Sequence, residues 1–596
     1  MPQGTTQEAG ISREQLRTFH LAGRELDEYQ PKAGLRAGIL GELTLPALES
    51  AYPVWVAPGQ APRSLADVLG ESPYTAAAVA SFRAAIGDRV LVALHEIKDA
   101  VIRPAGLPDE LARRIPATGW LVSFSAQTLP LLYGAALAAA RQRPRAQFFE
   151  QLKQCVARLQ DLLASDDAHP RESPSSQDIS AALGTEGREF FKPDVLEHAF
   201  RRSGPPARRM DAERRARCEA TLKTLEDAVH DHQQQPVFWL FHFDAASGPA
   251  PSGVETFGGR CRQSADPCGA ALEFCDQQLR WLVGVLRAMR IARLEAESSF
   301  DPTLHAPMLG RFDWQTADAR ELDALPAVVV MEPAGRLAKT SLASFARLLR
   351  SGRPVQILVP SPGLYVEDLS GVVPDFAYLA VAHREAFVVQ SSVAHFAHLA
   401  EGLAGMTRTL RPAVAVVCVP ENHQRQADQW LEISLCSFSR AFPLYLYDPD
   451  RGSRWPERFQ LWEPGPAFAG LTAAHAAALS EKFRSHFRVI PASQWDDEQM
   501  ELGEYLSRYQ SAAPLAIPYL WVIDESGERL RAAVTRELVN LCRDRAHAWE
   551  IFAELAGARP EQKAPEAVRA ELEQARREGA MDAIHRTLAM LDQFRK

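Results

Sequence analysis

Cysteine is scarce: eight in 596 residues, with no C-x-x-C pair among them. That excludes a disulfide scaffold and leaves no ready thiolate set for zinc or an iron–sulfur cluster. Basic charge is short as well. The chain carries 66 Lys and Arg against 75 Asp and Glu, a formal charge of −9, whereas a general polyanion binder needs a basic face; no nucleic-acid partner is expected. Missing too are G-x-x-x-x-G-K-[ST], G-x-G-x-x-G opening a helix, G-x-S-x-G and H-E-x-x-H, so no catalytic residue is assigned from these motifs. The opening residues, MPQGTTQEAGISREQL, lack a basic region followed by an apolar run, so no secretory signal is expected and the cytoplasm is the expected location. What is present is an ordinary globular composition, 46% hydrophobic and 24% charged, which excludes global disorder, and a length that fits roughly three to four domains.

One uncharged stretch is long enough to cross a bilayer, Pro116 to Ala140. Ser123, Ser125, Gln127, Thr128 and a central Pro130 interrupt it, so the expectation is a buried strand or turn leading into a core helix, and no membrane span. Residues 201–217 hold seven arginines, read as a Pro-broken loop entering a solvated helix, because no aromatic residues interleave for base stacking. His230 and His232 lack a nearby third ligand. Cys261, Cys268 and Cys275 stand seven residues apart, too far for one turn to offer two thiolates to one metal. No metal site is expected from either group.

The first hundred residues read as mixed α/β. Residues 34–56 read as loops between short strands, and 89–102 fits either a strand or a helix. Phe149, Leu152, Val156, Leu159 and Leu162 repeat at helical spacing, and 166–178 is a polar Pro/Ser stretch expected to be an exposed loop. VFWLFHF (237–243) has the look of a buried strand, and Cys268 to about Glu297 that of a long helix. The most regular part follows. AVVVM (327–331), VQILV (355–359) and AVAVVCV (413–419) are apolar runs of buried-strand type, with helical patterns from Lys339 to Gly352 and from Ser391 to Thr409 between them. Strand, helix, strand, helix, strand predicts parallel βαβ units, whose ligands sit beyond the strand C-termini. Further on, 518–535 reads as a hairpin around Glu525-Ser526-Gly527 followed by a helix through Leu555, and 565–596 as a charged helix.

LASFARLLRSGRPVQILVPSPGLYVEDLSG (342–371) resembles the thiamine-diphosphate-binding domain of the 2-oxoacid:ferredoxin oxidoreductases, the pyruvate:ferredoxin oxidoreductase family. Ser351, Gly352, the strand Val355–Val359 and Tyr365 fit the family's helix, turn, strand and cofactor loop, and HREAFVVQSSVAHFAHLAEGLAG…RPAVAVVCVPEN resembles its next helix and strand. The resemblance implies a parallel-sheet thiamine-diphosphate-binding-like domain at 251–440, flanked by a mixed α/β region (1–165), a helical and linker region (166–250) and a C-terminal α+β region (441–596). It also implies three functional turns, and here each departs from the family. Where active members have Gly-Asp-Gly to hold magnesium, this chain reads Glu332-Pro333-Ala334-Gly335, with Ala334 on the Asp and Gly335 on the second Gly. Where the next loop begins Asp-Asn, it reads Ser361-Pro362. Where a cluster cysteine stands after the third strand, it reads Val419-Pro420-Glu421. No Asp occurs between Asp323 and Asp368.

The degenerate cofactor positions are therefore Glu332, Gly335, Ser361, Tyr365, Glu367 and Asp368, with no metal site assigned and no cofactor expected. The function that follows is a subunit or relative of a 2-oxoacid:ferredoxin oxidoreductase, non-catalytic or altered, that associates as a homodimer or with oxidoreductase subunits. Two alternatives stand beside it. One is an active thiamine-diphosphate and magnesium enzyme, performing oxidative decarboxylation, with a metal site rebuilt from Glu332, Glu367 or Asp368. The other is a scaffold or assembly protein that uses the fold for interaction only.

Overall fold

A computed structural model describes residues 13–22, 36–37, 45–102, 108–168, 175–202, 210–232, 237–241, 252–365, 374–421, 426–509, 515–523 and 528–558. The architecture is mixed α/β, with three sheets among those residues. The first strand, β1 (Arg36–Ala37), joins a sheet built much later in the chain. β2 (Val54–Val56), β3 (Arg63–Ser64), β4 (Leu91–Ala93) and β5 (Trp120–Val122) form a small antiparallel sheet in the order β3-β2-β5-β4. The ambiguous stretch 89–102 contains both readings, β4 and then the helix Leu94–Ile102. Its three strand residues are too few to show a period.

The central sheet takes β6 (Val237–Phe241), β7 (Gly259–Gln263), β8 (Ala327–Met331), β9 (Val355–Ser361), β10 (Phe387–Ser392), β11 (Ala413–Cys418), β12 (Tyr445–Tyr447) and β13 (Phe459–Leu461) in the order β13-β12-β10-β11-β9-β8-β6-β7. The six from β6 to β11 run parallel, while β12 is antiparallel to β10 and β13 to β12. The sheet thus extends on both sides of segment 251–440, taking β6 from before it and β12 and β13 from after it.

β8, β9 and β11 match the three apolar runs. β10 is a correction: the helical run expected from Ser391 begins later, because Ser391 and Ser392 end a fully buried strand, FVVQSS, that lies outside β11. Six residues carry too little period to separate a strand from a buried helix. Every residue of β8, β10 and β11 is buried, so both faces are covered. The crossover β9→β10 passes β11 and the connection β10→β11 returns. The right-handed rule therefore sets the helices Phe376–His383 and Phe396–Arg408 on opposite faces. Gly405 lets the second lie close on the sheet, since a Cβ there would sit 2.4 Å from Phe387 Cζ.

The uncharged stretch resolves into β5 and the start of one helix, Thr128–Ala168, which continues through Pro144 and absorbs the separately read Phe149–Leu162 pattern. It also enters the segment 166–178 that was expected to be loop, which otherwise holds the capped start of the helix Ser176–Phe190. Among the described residues no helix is long and apolar enough to cross a membrane.

The helix Ala212–His232 packs against Thr128–Ala168 and against Pro267–Ala296, and three of the clustered arginines make those joints. Arg214 Nε and Arg217 Nε each donate at 2.7 Å to the carboxylate of Glu295, which is 1% exposed. Arg215 pairs with Asp166, Asp167 and Glu219. These three charges serve internal pairing.

The third sheet joins β14 (Phe487–Ile490), β15 (Gln499–Glu501), β16 (Ile517–Ile523) and β17 (Arg529–Val534) to β1. β16 and β17 form the expected hairpin, followed by the helix Arg536–Leu555. The tail 565–596 lies outside the described residues.

Candidate functional site

In a parallel sheet the strand C-termini share one edge, and ligands collect there. Here β8, β9 and β11 are consecutive neighbours, so the turns after Met331, at Ser361 and after Cys418 stand side by side. The ladder runs on past the strands and ties these turns together. Glu332 N donates to Leu358 O at 3.1 Å, Val419 N to Ser361 O at 2.8 Å, and Val393 N to Cys418 O at 3.0 Å.

Glu332 is fully buried. Ser341 Oγ donates to its Oε1 at 2.7 Å, and Arg336 Nε lies 3.9 Å from the same oxygen. Oε2 has no hydrogen-bond partner among the described residues. Burial pushes its carboxyl above the usual range, opposed by the Ser341 hydrogen bond and Arg336 and reinforced by Asp266. Ser341 reaches Glu332 from a π-helical turn, Leu337–Ser341, a local widening often found at functional positions. Asp266 is already engaged: it caps the helix Pro267–Ala296 through Gly269 N and accepts from Ser344 Oγ at 2.6 Å.

A folded-state pKa above the unfolded one gives stability that is full below the unfolded value and lost as pH rises through the folded one. Burial thus opposes the ionised form of Glu332 in the folded chain, a cost that grows as pH rises. Glu332→Gln is expected to raise the urea midpoint at pH 7, by about 1 kcal/mol, and the gain should shrink towards pH 4. An unchanged midpoint at pH 7, or the same gain at both pH values, would contradict this reading.

The remaining positions differ in how they are filled. Ser361 is buried and its Oγ accepts from Gly363 N at 3.2 Å, so the hydroxyl serves its own turn. Gly363 has φ +91°, and a Cβ there would lie 2.8 Å from Cys418 Sγ and 3.0 Å from Cys436 Sγ. Tyr365 is half-buried and packs on the core. Gly335 lies in the short helix Ala334–Arg336, where a Cβ would meet nothing within 4 Å; no close approach requires a glycine there. Glu421 is paired with Lys482. Glu367 and Asp368 lie outside the described residues. The structure thus brings Glu332, Gly335, Ser361 and Tyr365 to one region of the sheet edge, with Glu332 and Ser361 buried on internal partners and Gly335 beside open space.

Part of this edge is covered from within the chain. Tyr52 Oη donates to Val393 O at 2.9 Å in the turn after β10, and Trp430 Nε1 to Pro46 O at 2.9 Å. Tyr52, Phe124 and Trp430 meet edge to face above that turn.

Two groupings went unnoticed in the sequence. Cys418 and Cys436 are buried neighbours whose thiols hydrogen-bond; burial first, and then that contact, hold the Cys418 thiol well above its ordinary range. Eighteen residues and a strand-to-helix connection separate them, so spacing gives no signal. Ser391 Oγ lies 2.9 Å from His398 Nδ1, a nucleophile-and-base distance. Ser391 is fully buried, however, and burial lowers the His398 pKa to about 4, leaving an uncharged pair inside the core. Among the described residues no group of three or more His, Cys, Asp or Glu could hold a metal ion.

The donor set does not fit magnesium and a diphosphate. A hard divalent cation wants several oxygens. The only described carboxylate among the four edge positions, Glu332, is buried against Ser341; Pro362 has no N–H to offer, and Ala334 offers no oxygen from its side chain. Compared with known proteins, the chain matches no protein-family model and no curated protein.

Proposed function

We propose that this chain is a non-catalytic relative of the 2-oxoacid:ferredoxin oxidoreductases, which keeps a thiamine-diphosphate-binding-like domain as a scaffold for association. One observation carries the reading. The three turns that the resemblance assigns to magnesium, diphosphate and iron–sulfur cluster come from neighbouring strands and meet at one edge, as a shared site requires, yet the first two are filled by buried side chains and the third carries an exposed ion pair. Glu332 is bound to Ser341, the Ser361–Gly363 turn is pressed on Cys418 and Cys436, and Glu421 is paired with Lys482. A fold kept while its site closes is a fold kept for packing or contact. We assign no catalytic residue. The partner proposed is a second copy or an oxidoreductase subunit, burying more than roughly 1,000 Å². The location proposed is the cytoplasm, whose reducing conditions suit a chain with eight free thiols.

The active-enzyme alternative would need a carboxylate facing the edge, and the burial of Glu332 counts against it. Calorimetric titration with thiamine diphosphate and magnesium separates the two readings. Sedimentation of the same preparation reads association.

A further inference from the structure

A cleft of about 770 Å³ lies away from the central sheet's edge, between the helix Thr128–Ala168, Trp120 of β5 and the turn at Thr256 and Phe257. Its size falls in the range of small-molecule sites. One face of the helix shapes it. Ala138, Arg141, Arg145, Phe149 and Lys153 recur at three and four residues, so small side chains leave the space at one end and cations stand along the rest. The opposite wall is aromatic, with Trp120 and Phe257 in edge-to-face contact at 5.7 Å.

The charge is one-sided. Three cations line the cleft, Arg141, Arg145 and Lys153, against one carboxylate, Glu150. Arg141 decides the chemistry. It is 5% exposed, its Nη1 is used by Asp323 (3.2 Å to the carbonyl and 3.5 Å to the carboxylate), and its Nε has no hydrogen-bond partner among the described residues. An under-satisfied guanidinium held inside an apolar wall is costly unless an anion completes it.

We propose that this cleft is a binding site for a carboxylate with an apolar body, its head on Arg141 and Arg145 and its tail along Trp120 and Phe257. The proposal stands apart from the reading of the sheet edge, because no residue is shared between them.

Dodecanoate and dodecanol, compared by calorimetry on the full chain, are the probes. Dodecanoate is expected to bind the tighter by about tenfold or more, as a charge-assisted hydrogen bond provides. Arg141→Gln should bring the two ligands to similar affinity, whereas Ala138→Trp, which fills the cleft, should abolish both. If Arg141→Gln fails to fold, Lys153→Gln, a change at an exposed position, carries the same test, with a smaller loss for dodecanoate alone. Equal binding of the two ligands to the wild-type chain, no dodecanoate binding, or binding indifferent to both charge changes would overturn the proposal.

Discussion

Valine at position 363 is expected to destabilise the chain by about 3 kcal/mol or more, the largest effect of any single change considered. Two costs add. Gly363 has φ +91°, a backbone conformation that side-chain-bearing residues rarely adopt, and its Cβ position is 2.8 Å from Cys418 Sγ and 3.0 Å from Cys436 Sγ. Neither sulfur can retreat easily, because Cys418 ends a fully buried strand and Cys436 sits on the packed helix Gln426–Phe438. The test is the urea midpoint of Gly363→Val, with Gly363→Ala as the smaller step. A shift below about 0.5 kcal/mol in both, the range of an ordinary surface change, would mean that the turn is not pressed on the thiols and that the edge has room.

The second large effect is expected from Glu295→Ala, at about 3 kcal/mol. The buried carboxylate joins Arg214 and Arg217 to the end of the Pro267–Ala296 helix, and Arg214 also donates to Glu295 O at 3.0 Å. Removing it leaves two guanidiniums facing one another without their shared acceptor. Each is about a quarter exposed, so both can rehydrate in part, which keeps the loss at the low end for a broken buried pair. Glu295→Gln, keeping shape without charge, should lose less. A midpoint unchanged in Glu295→Ala would show that the arginines are held by other contacts.

Much of the fold was legible where pattern and length agreed. AVVVM, VQILV and AVAVVC are strands because runs of five or six β-branched and apolar residues between polar turns can be buried on both faces. Gly352, at φ +67°, follows the helix Leu342–Leu349 as its stop signal indicated. The antiparallel pairing of β16 with β17 was signalled by Glu525-Ser526-Gly527 standing between two strand-like runs. β10 was hidden because FVVQSS ends in serines and runs at once into helical periodicity, and β13 because three residues carry no period, whereas β12 was legible as a strand running into the Asp448-Pro449-Asp450 turn. Strand order was hidden for a different reason: it depends on which crossover passes which neighbour, and spacing along the chain does not encode that.

The candidate site was legible as a place but not as a state. That Ala334, Pro362 and Glu421 stand where the resemblance would place ligand residues could be read from the residues. That Glu332 turns inward to Ser341, that Ser361 closes on Gly363 and that Glu421 meets Lys482 depends on partners brought near by folding. The carboxylate of Glu332, offered by the sequence as a substitute ligand, is withdrawn by a hydrogen bond from Ser341 at the end of a π-helical turn.

On the proposed reading, the edge is closed at its first two turns and takes no thiamine diphosphate. Calorimetric titration of the purified chain with thiamine diphosphate, in millimolar-scale magnesium, tests it most directly. No saturable heat is expected, and no cofactor should be retained through purification. Stoichiometric cofactor in the purified protein, or micromolar affinity in the titration, would contradict it.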